Sequence, residues 1–149
     1  MDHTKKMASV AGLASVLWLG LTAAVAANQR RLVFNPMLER EVKSPRSSGH
    51  RTRPVVLRAK DGTRLCGWLM TPLSPGPHPA VLYFGGRSEE VSWVARDAGK
   101  LFPGMTVLAM NYRGYGDSHG EPAEAHMVED GCSLFDWMAD RSGIDASRI

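Results

Sequence analysis

Ala80-Val81-Leu82-Tyr83-Phe84-Gly85-Gly86 is a short apolar run, entered through prolines and left through two glycines. Its β-branched and aromatic content reads as a strand buried on both faces, the kind found inside a parallel sheet. The paired glycines let the backbone turn sharply and approach whatever lies at the strand's C-terminal end. In open α/β sheets that end is where ligands bind.

Downstream, Ser88 is placed to cap a helix, with Glu89 and Glu90 in a first turn where the macrodipole favours negative charge. Val91, Val94, Ala95, Ala98, Leu101 and Phe102 recur at helical spacing, and Pro103-Gly104 ends the pattern. Thr106 to Met110 is a second buried strand. Gly114, Gly116 and Gly120 then punctuate a loop, and Pro122 suits the first turn of a second helix. On that helix Met127, Val128, Gly131, Leu134, Phe135 and Met138 share a face, and Glu129, Asp130, Asp136 and Asp140 are expected on the solvated one. Trp93 and Trp137 read as core or helix-edge packing. Two strands joined by a helical crossover should be parallel and right-handed in connection.

Upstream, Thr71 to Pro79 holds four prolines and a glycine and reads as a linker. Before it, Val55 to Arg58 and Leu65 to Met70 flank Asp61-Gly62, a hairpin turn signal. Residues 28–54 are basic and contain Pro36, Pro45 and Pro54, which predicts an irregular arm near a membrane surface. Met7 to Ala27 carries no charge, and a helix of about twenty residues just crosses a bilayer core of roughly 30 Å. Ala24-Val25-Ala26 also has the form of a signal-peptidase site, so a retained anchor and a cleaved signal both fit. Orientation stays open as well. Lys5 and Lys6 precede the run, whereas Arg30, Arg31, Arg40, Lys43 and Arg46 follow it.

Composition sets bounds on the partners. The chain has 149 residues, 44% of them hydrophobic, and a formal charge of +3. Residues 1–64 carry twelve Lys/Arg and four Asp/Glu, and the remainder six and eleven. A basic first part beside an apolar stretch favours anionic lipid over nucleic acid. Arg113-Gly114-Tyr115-Gly116 copies the first half of an RNA-binding strand signature, but Asp-Ser-His-Gly follows where further aromatics should stand. Cys66 and Cys132 show no metal-ligand spacing and read as small buried hydrophobes in a strand and a helix. No cofactor and no metal site is implied.

Three pieces of the chain stand out: Gln29-Arg30-Arg31-Leu32-Val33-Phe34-Asn35-Pro36, Asp61-Gly62-Thr63-Arg64-Leu65 with Gly67-Trp68, and Asn111-Tyr112-Arg113-Gly114-Tyr115-Gly116-Asp117-Ser118-His119-Gly120. Together they resemble the α/β-hydrolase superfamily, specifically its membrane-anchored serine hydrolases of the serine aminopeptidase-like branch. The last piece is the most specific. The resemblance implies a fold class: the N-terminal half of an α/β-hydrolase sheet, a hairpin plus two parallel strands with two helices, preceded by one hydrophobic helix. It divides the chain into an anchor or signal segment (1–27), a basic arm (28–54) and a partial hydrolase domain (55–149). The implied strand order is 1-2-4-3-5, with the opening stretch as the third strand.

Family members usually have His-Gly and a small or polar residue after that strand, where this chain has Gly85, Gly86 and Arg87. The resemblance makes the Arg87 N–H one oxyanion-hole donor, with Gly86 permitting close approach. Triad residues are expected beyond residue 149. Ser118, in Gly116-Asp117-Ser118-His119-Gly120, spells Gly-x-Ser-x-Gly. A nucleophile elbow, however, needs its serine directly between a strand and a helix. Ser118 lies past two loop glycines, as a turn former does, and neither His119 nor His126 has an evident orienting acid. The implied function is the N-terminal part of a membrane-anchored serine hydrolase acting on an ester, thioester or amide, inactive alone. Its partners would be membrane lipid, a complementing C-terminal half and, once complete, a small acyl substrate. The alternatives are one half of a split hydrolase and a non-catalytic anchored interaction module.

Overall fold

The computed structural model describes residues 2–38, 42–43 and 45–149. The chain divides into two units, residues 1–34 and 35–149. The first is a single helix, α1 (Asp2–Val33). Its window Gly12–Gln29 is long and apolar enough to cross a membrane. Leu13, Val16, Leu17, Trp18, Leu19 and Leu21 are all exposed within this unit, so the apolar residues surround the helix and form no single stripe. Within that window Thr22 Oγ1 donates to the Trp18 and Leu19 carbonyls, both at 3.0 Å, so its hydroxyl is satisfied inside the helix.

The second unit is a four-stranded sheet with one helix on each face. In chain order it contains β1 (His50–Arg58), β2 (Arg64–Pro72), β3 (Ala80–Phe84), α2 (Ser92–Leu101), β4 (Thr106–Met110) and α3 (Glu124–Ala139). A 3₁₀ turn over Ala146–Arg148 follows. The strand order is β1-β2-β4-β3, as the resemblance implied for the first four strands. β1 and β2 form the hairpin around Asp61-Gly62, β2 pairs antiparallel with β4, and β3 pairs parallel with β4. Alternation divides the central strands between two cores. Trp68, Met70, Val107 and Ala109 meet Val91, Val94, Ala95 and Ala98 of the α2 side. Leu65, Leu69, Leu108 and Met110 meet Leu134 and Met138 of α3. Fully burying one large apolar side chain is worth about 1.5–3 kcal/mol, so these two layers supply most of the folding drive.

Several expectations need correction. The stretch read as an irregular arm is bounded more tightly, because α1 continues to Val33 and β1 begins at His50. His50 starts the strand because its Nε2 lies 2.8 Å from the Met105 carbonyl, which can only accept. Just before it, Ser47 Oγ accepts the Gly99 N–H at 2.6 Å, and a Cβ on Gly99 would collide with the Ser48 carbonyl. Pro54 lies within β1, which is tolerated because β1 is an edge strand. Thr71 and Pro72 belong to β2 and not to the linker. Of the basic positions around the apolar run, Arg40 lies outside the described residues, as do the side chains of Lys5, Lys6, Arg30 and Arg31.

Ser88 is not the helix cap. α2 starts four residues later, and the Glu90 carboxylate takes the Ser92 N–H at 3.0 Å. The buried face of α3 is also rotated from the expected one. Asp130, Leu134 and Met138 point inward, whereas Val128 and Phe135 are exposed, and so is Cys132. Cys66 is buried, as expected. The rotation follows from Asp130, which is drawn inside by a buried arginine.

Candidate active site

The turn after β3 is held from three sides. Glu89 reaches back across it: Oε2 accepts the Gly86 N–H at 2.8 Å, and Oε1 accepts Tyr83 Oη–H at 2.7 Å and Trp93 Nε1–H at 2.8 Å. On the far side, the Arg87 carbonyl accepts Tyr115 Oη–H at 2.7 Å and the Asn35 N–H at 3.3 Å. Asn35 Nδ2 also donates to Ser88 Oγ at 2.9 Å. The peptide units on either side of the Arg87 N–H are therefore both fixed. Pre-organised backbone donors of this kind lower the cost of placing negative charge beside them. Gly85 is buried, and a Cβ there would press on Glu89 at 3.0–3.3 Å, so the missing side chain leaves the room that the brace occupies.

The electrostatics follow the contacts. Burial pushes the Glu89 carboxyl up, but hydrogen bonds from Gly86, Tyr83 and Trp93 together outweigh it and hold the group below its ordinary value. Tyr83 is pushed up to about 12, first by burial and then by the Glu89 carboxylate. Burial likewise raises Tyr115, against the opposing Asn35 N–H.

The loop after β4 positions this turn. Its first residue, Asn111, is buried, accepts the Val91 N–H at 3.1 Å and donates to Glu90 Oε1 at 3.1 Å. Tyr112 stacks on Phe84, with centroids 5.3 Å apart and planes 9° from parallel. Tyr115 is wholly buried and packs edge-on against Tyr112. Gly116 has φ near +50°, and a Cβ there would come within 2.6 Å of Asn111 Nδ2, so only glycine serves.

Arg113 turns the other way. Its Nε and Nη2 grip the Asp130 carboxylate, each at 2.8 Å, and its Nη1 and Nη2 reach Asp61 at 2.5 and 3.3 Å. Arg113 and Asp130 are only 4% and 5% exposed, so this fork ties the hairpin, the loop and α3 together.

Ser118 is a pin in the same loop. It is buried, its Oγ accepts the Cys66 N–H at 2.8 Å, and it lies 3.2 Å from the Asn111 carbonyl. No histidine hydrogen-bonds it: the His119 backbone N–H goes to the Arg64 carbonyl, and the His126 ring faces the Glu121 carbonyl. Ser118→Ala is expected to cost about 1–2 kcal/mol in urea unfolding by orphaning the Cys66 N–H. It should leave any acyl-ester turnover of the assembled protein unchanged. Among the described residues, no group of three His, Cys, Asp or Glu is placed to hold a metal ion.

Comparison with known proteins decides the family. The chain is 33% identical over 141 residues to an uncharacterized protein of Mycobacterium tuberculosis, covering 94% of this chain and 50% of that one. It is 30% identical over 135 residues to the alpha/beta hydrolase domain-containing protein WAV2 of Arabidopsis thaliana, covering 85% of this chain and 43% of that one. It superposes on the crystal structure of the alpha/beta hydrolase GrgF from Penicillium sp. with a TM-score of 0.55 and 25% identity, covering 66% of this chain and 36% of that one.

The chain belongs to the α/β-hydrolase superfamily. No family model matches it, and it spans about half the length of the curated relatives it matches first.

Within this α/β-hydrolase sheet, Gly86 and Arg87 stand at the C-terminal end of β3, where the sequence put them. The residues that hold them were not foreseen. Glu89 and Tyr115 read as a helix-turn acid and a loop aromatic, and Asn35 lies 52 positions from Arg87 in the chain. Only the quoted pieces around Asn35-Pro36 and Gly114-Tyr115-Gly116 flagged those two stretches.

Proposed function

We propose that this chain serves a membrane-anchored serine hydrolase, supplying the anchor and the oxyanion-stabilising turn for acyl transfer from an ester, thioester or amide. The observation that carries the reading is the double pinning of the peptide units beside the Arg87 N–H, at the sheet end where superfamily ligands bind. In such a reaction a serine alkoxide attacks the carbonyl, and the new tetrahedral oxyanion takes hydrogen bonds from fixed N–H groups. The Arg87 N–H is one such donor in this reading, and Gly86 keeps the approach open. α1 is the anchor, with an apolar window of 18 residues that accords with a span.

The reading is tested with p-nitrophenyl butyrate. The purified 149-residue chain is expected to give no turnover above buffer. Co-expression with a chain carrying a superfamily member's nucleophile elbow, acid and histidine is expected to give turnover that a fluorophosphonate abolishes. Robust turnover by the 149 residues alone would overturn it, because among the described residues no histidine is hydrogen-bonded to a serine hydroxyl.

A second reading, a non-catalytic anchored interaction module, draws on the outer edge of β3. That edge has no strand partner among the described residues, and an unpaired edge is a template for another chain. A stable monomer with slow amide exchange along β3, unchanged by the complementing chain, would favour it.

A further inference from the structure

At the end of the sheet away from the Gly86 turn, the α3 face holds an open cleft of about 320 Å³. Cross-strand register shows how it is built. Arg53 pairs with Leu69, and Leu69 with Leu108. These residues therefore share a face with Thr71 and Thr106, two positions along their strands. The C-terminal end of α3 closes the cleft with Asp140 and Arg141.

Two features of this cleft are unlike ordinary surface. Thr106 is 1% exposed, yet its Oγ1 has no hydrogen-bond partner, and Arg141 Nε is likewise buried and unpartnered. A buried hydroxyl without a partner is destabilising, and such groups call for an explanation. Arg141 is also fixed, with its guanidinium carbon 3.5 Å above the Trp137 ring. Burial first, and then the Arg53 charge, lower its proton affinity, so two cations face one space. Asp140 lines the same cleft but forms no salt bridge with either arginine.

We infer that this cleft is a binding site for a phosphate group, held by the Arg53 and Arg141 guanidinium forks and the Thr106 hydroxyl. Guanidinium forks match the oxygens of a tetrahedral oxyanion in paired hydrogen bonds. The added negative charge relieves the Arg53–Arg141 repulsion, and the orphan hydroxyl gains an acceptor. Asp140 accepts a hydrogen bond from a hydroxyl carried by the phosphate's substituent. Leu69 and Ile144 give that substituent an apolar floor. The phosphate could be a free ester or a lipid headgroup. The site is remote from the acyl-transfer turn and does not depend on the hydrolase reading.

The test uses the full chain in neutral detergent and in phosphatidylcholine nanodiscs, followed by thermal unfolding. One arm adds inorganic phosphate or glycerol 3-phosphate against chloride at matched ionic strength. The other adds phosphatidylglycerol to the nanodiscs. Stabilisation in the soluble arm, the lipid arm or both is expected, and the arm that responds identifies the source. Arg53→Gln is exposed and should fold normally, and Thr106→Val keeps the side-chain shape. Each is expected to weaken the apparent affinity roughly tenfold, the loss of one charge-assisted hydrogen bond. Thr106→Val should at the same time leave the unliganded protein equally stable or more so. No stabilisation in either arm, or a shift that survives in both variants, overturns the assignment.

Discussion

Replacing Asp130 with alanine is expected to cost about 3–5 kcal/mol of stability, a large share of the roughly 5–15 kcal/mol that a typical domain holds. The reason lies on the arginine side of the pair. With its carboxylate partner gone, the Arg113 guanidinium is left 4% exposed with two donors facing apolar packing. Asp61 sits at the surface and recovers only part of the loss, because its carboxylate is about half exposed. Removing both charges is expected to be milder than removing one. Arg113→Met with Asp130→Leu fills the volume with apolar atoms and avoids the desolvation cost. Urea unfolding by near-UV circular dichroism should place this double variant nearer the parent than either single change, and a double variant worse than Asp130→Ala would refute the account. The clamp also carries a pH signature. Hydrogen bonds, that from Arg113 foremost, hold the Asp61 carboxyl well below the usual carboxylate range. A depressed folded value stabilises above the unfolded value of about 4, and the contribution fades as pH falls through the folded one. Asp61→Asn should therefore flatten the acid limb of the urea midpoint without altering its neutral slope.

Asp130 also shows what could and could not be read from the chain. Strands declared themselves through apolar runs, and β3 and β4 fell where Ala80–Phe84 and Thr106–Met110 predicted. Of the two, only β4 is buried on both faces; Val81 to Phe84 are half-buried because β3 lies at the edge of the described sheet. Their parallel pairing followed from the helical crossover. The hairpin was legible at Asp61-Gly62, although β1 began five residues before the expected Val55 because His50 finds the Met105 carbonyl across the fold. Charge was the misleading signal. On an amphipathic helix a carboxylate reads as solvent-facing, and nothing in α3 indicates that Asp130 meets an arginine 17 positions upstream. Val128 and Phe135 were placed inside for the same reason, one helical face being taken for its neighbour. An oxyanion role for Gly86 and Arg87 rests on the resemblance alone, and only their place at the end of β3 was legible, from the paired glycines. Their supports were not, since Glu89 follows the turn and Tyr115 and Asn35 arrive from distant segments. Ser88 was assigned the cap that Glu90 provides, two acids in a row giving no hint of which turns inward.

Glu89 carries the second large effect, expected in the hydrolase assembled around this chain. Its two oxygens do different work: Oε1 gathers Tyr83 and Trp93, and Oε2 alone holds the Gly86 N–H. Glutamine has one carbonyl oxygen, so Glu89→Gln can keep the pair on Oε1 or the contact on Oε2. The pair contains the two partly buried side-chain donors, and its retention leaves the amide NH₂ facing the Gly86 N–H, donor against donor. The turn then loses its hold on one side of Arg87 while the surrounding packing stays. Removing an oxyanion donor outright costs about 10²–10³ in kcat. Loosening one that remains present should cost about ten- to a hundredfold, the range in which displacement of about 1 Å falls. KM should stay within about twofold, because ground-state binding does not use the oxyanion contact. Glu89→Ala should match Glu89→Gln in kcat but fall below it in stability, since it also strands Tyr83 and Trp93. The carboxyl lies below its ordinary value, so the brace persists through mildly acidic pH and the acid limb of kcat should be the same in parent and Gln variant. A merely structural Glu89 would show parallel losses of stability and activity. Full kcat in Glu89→Gln, with the Gly86 amide resonance unmoved, would remove this residue from any role in positioning the turn.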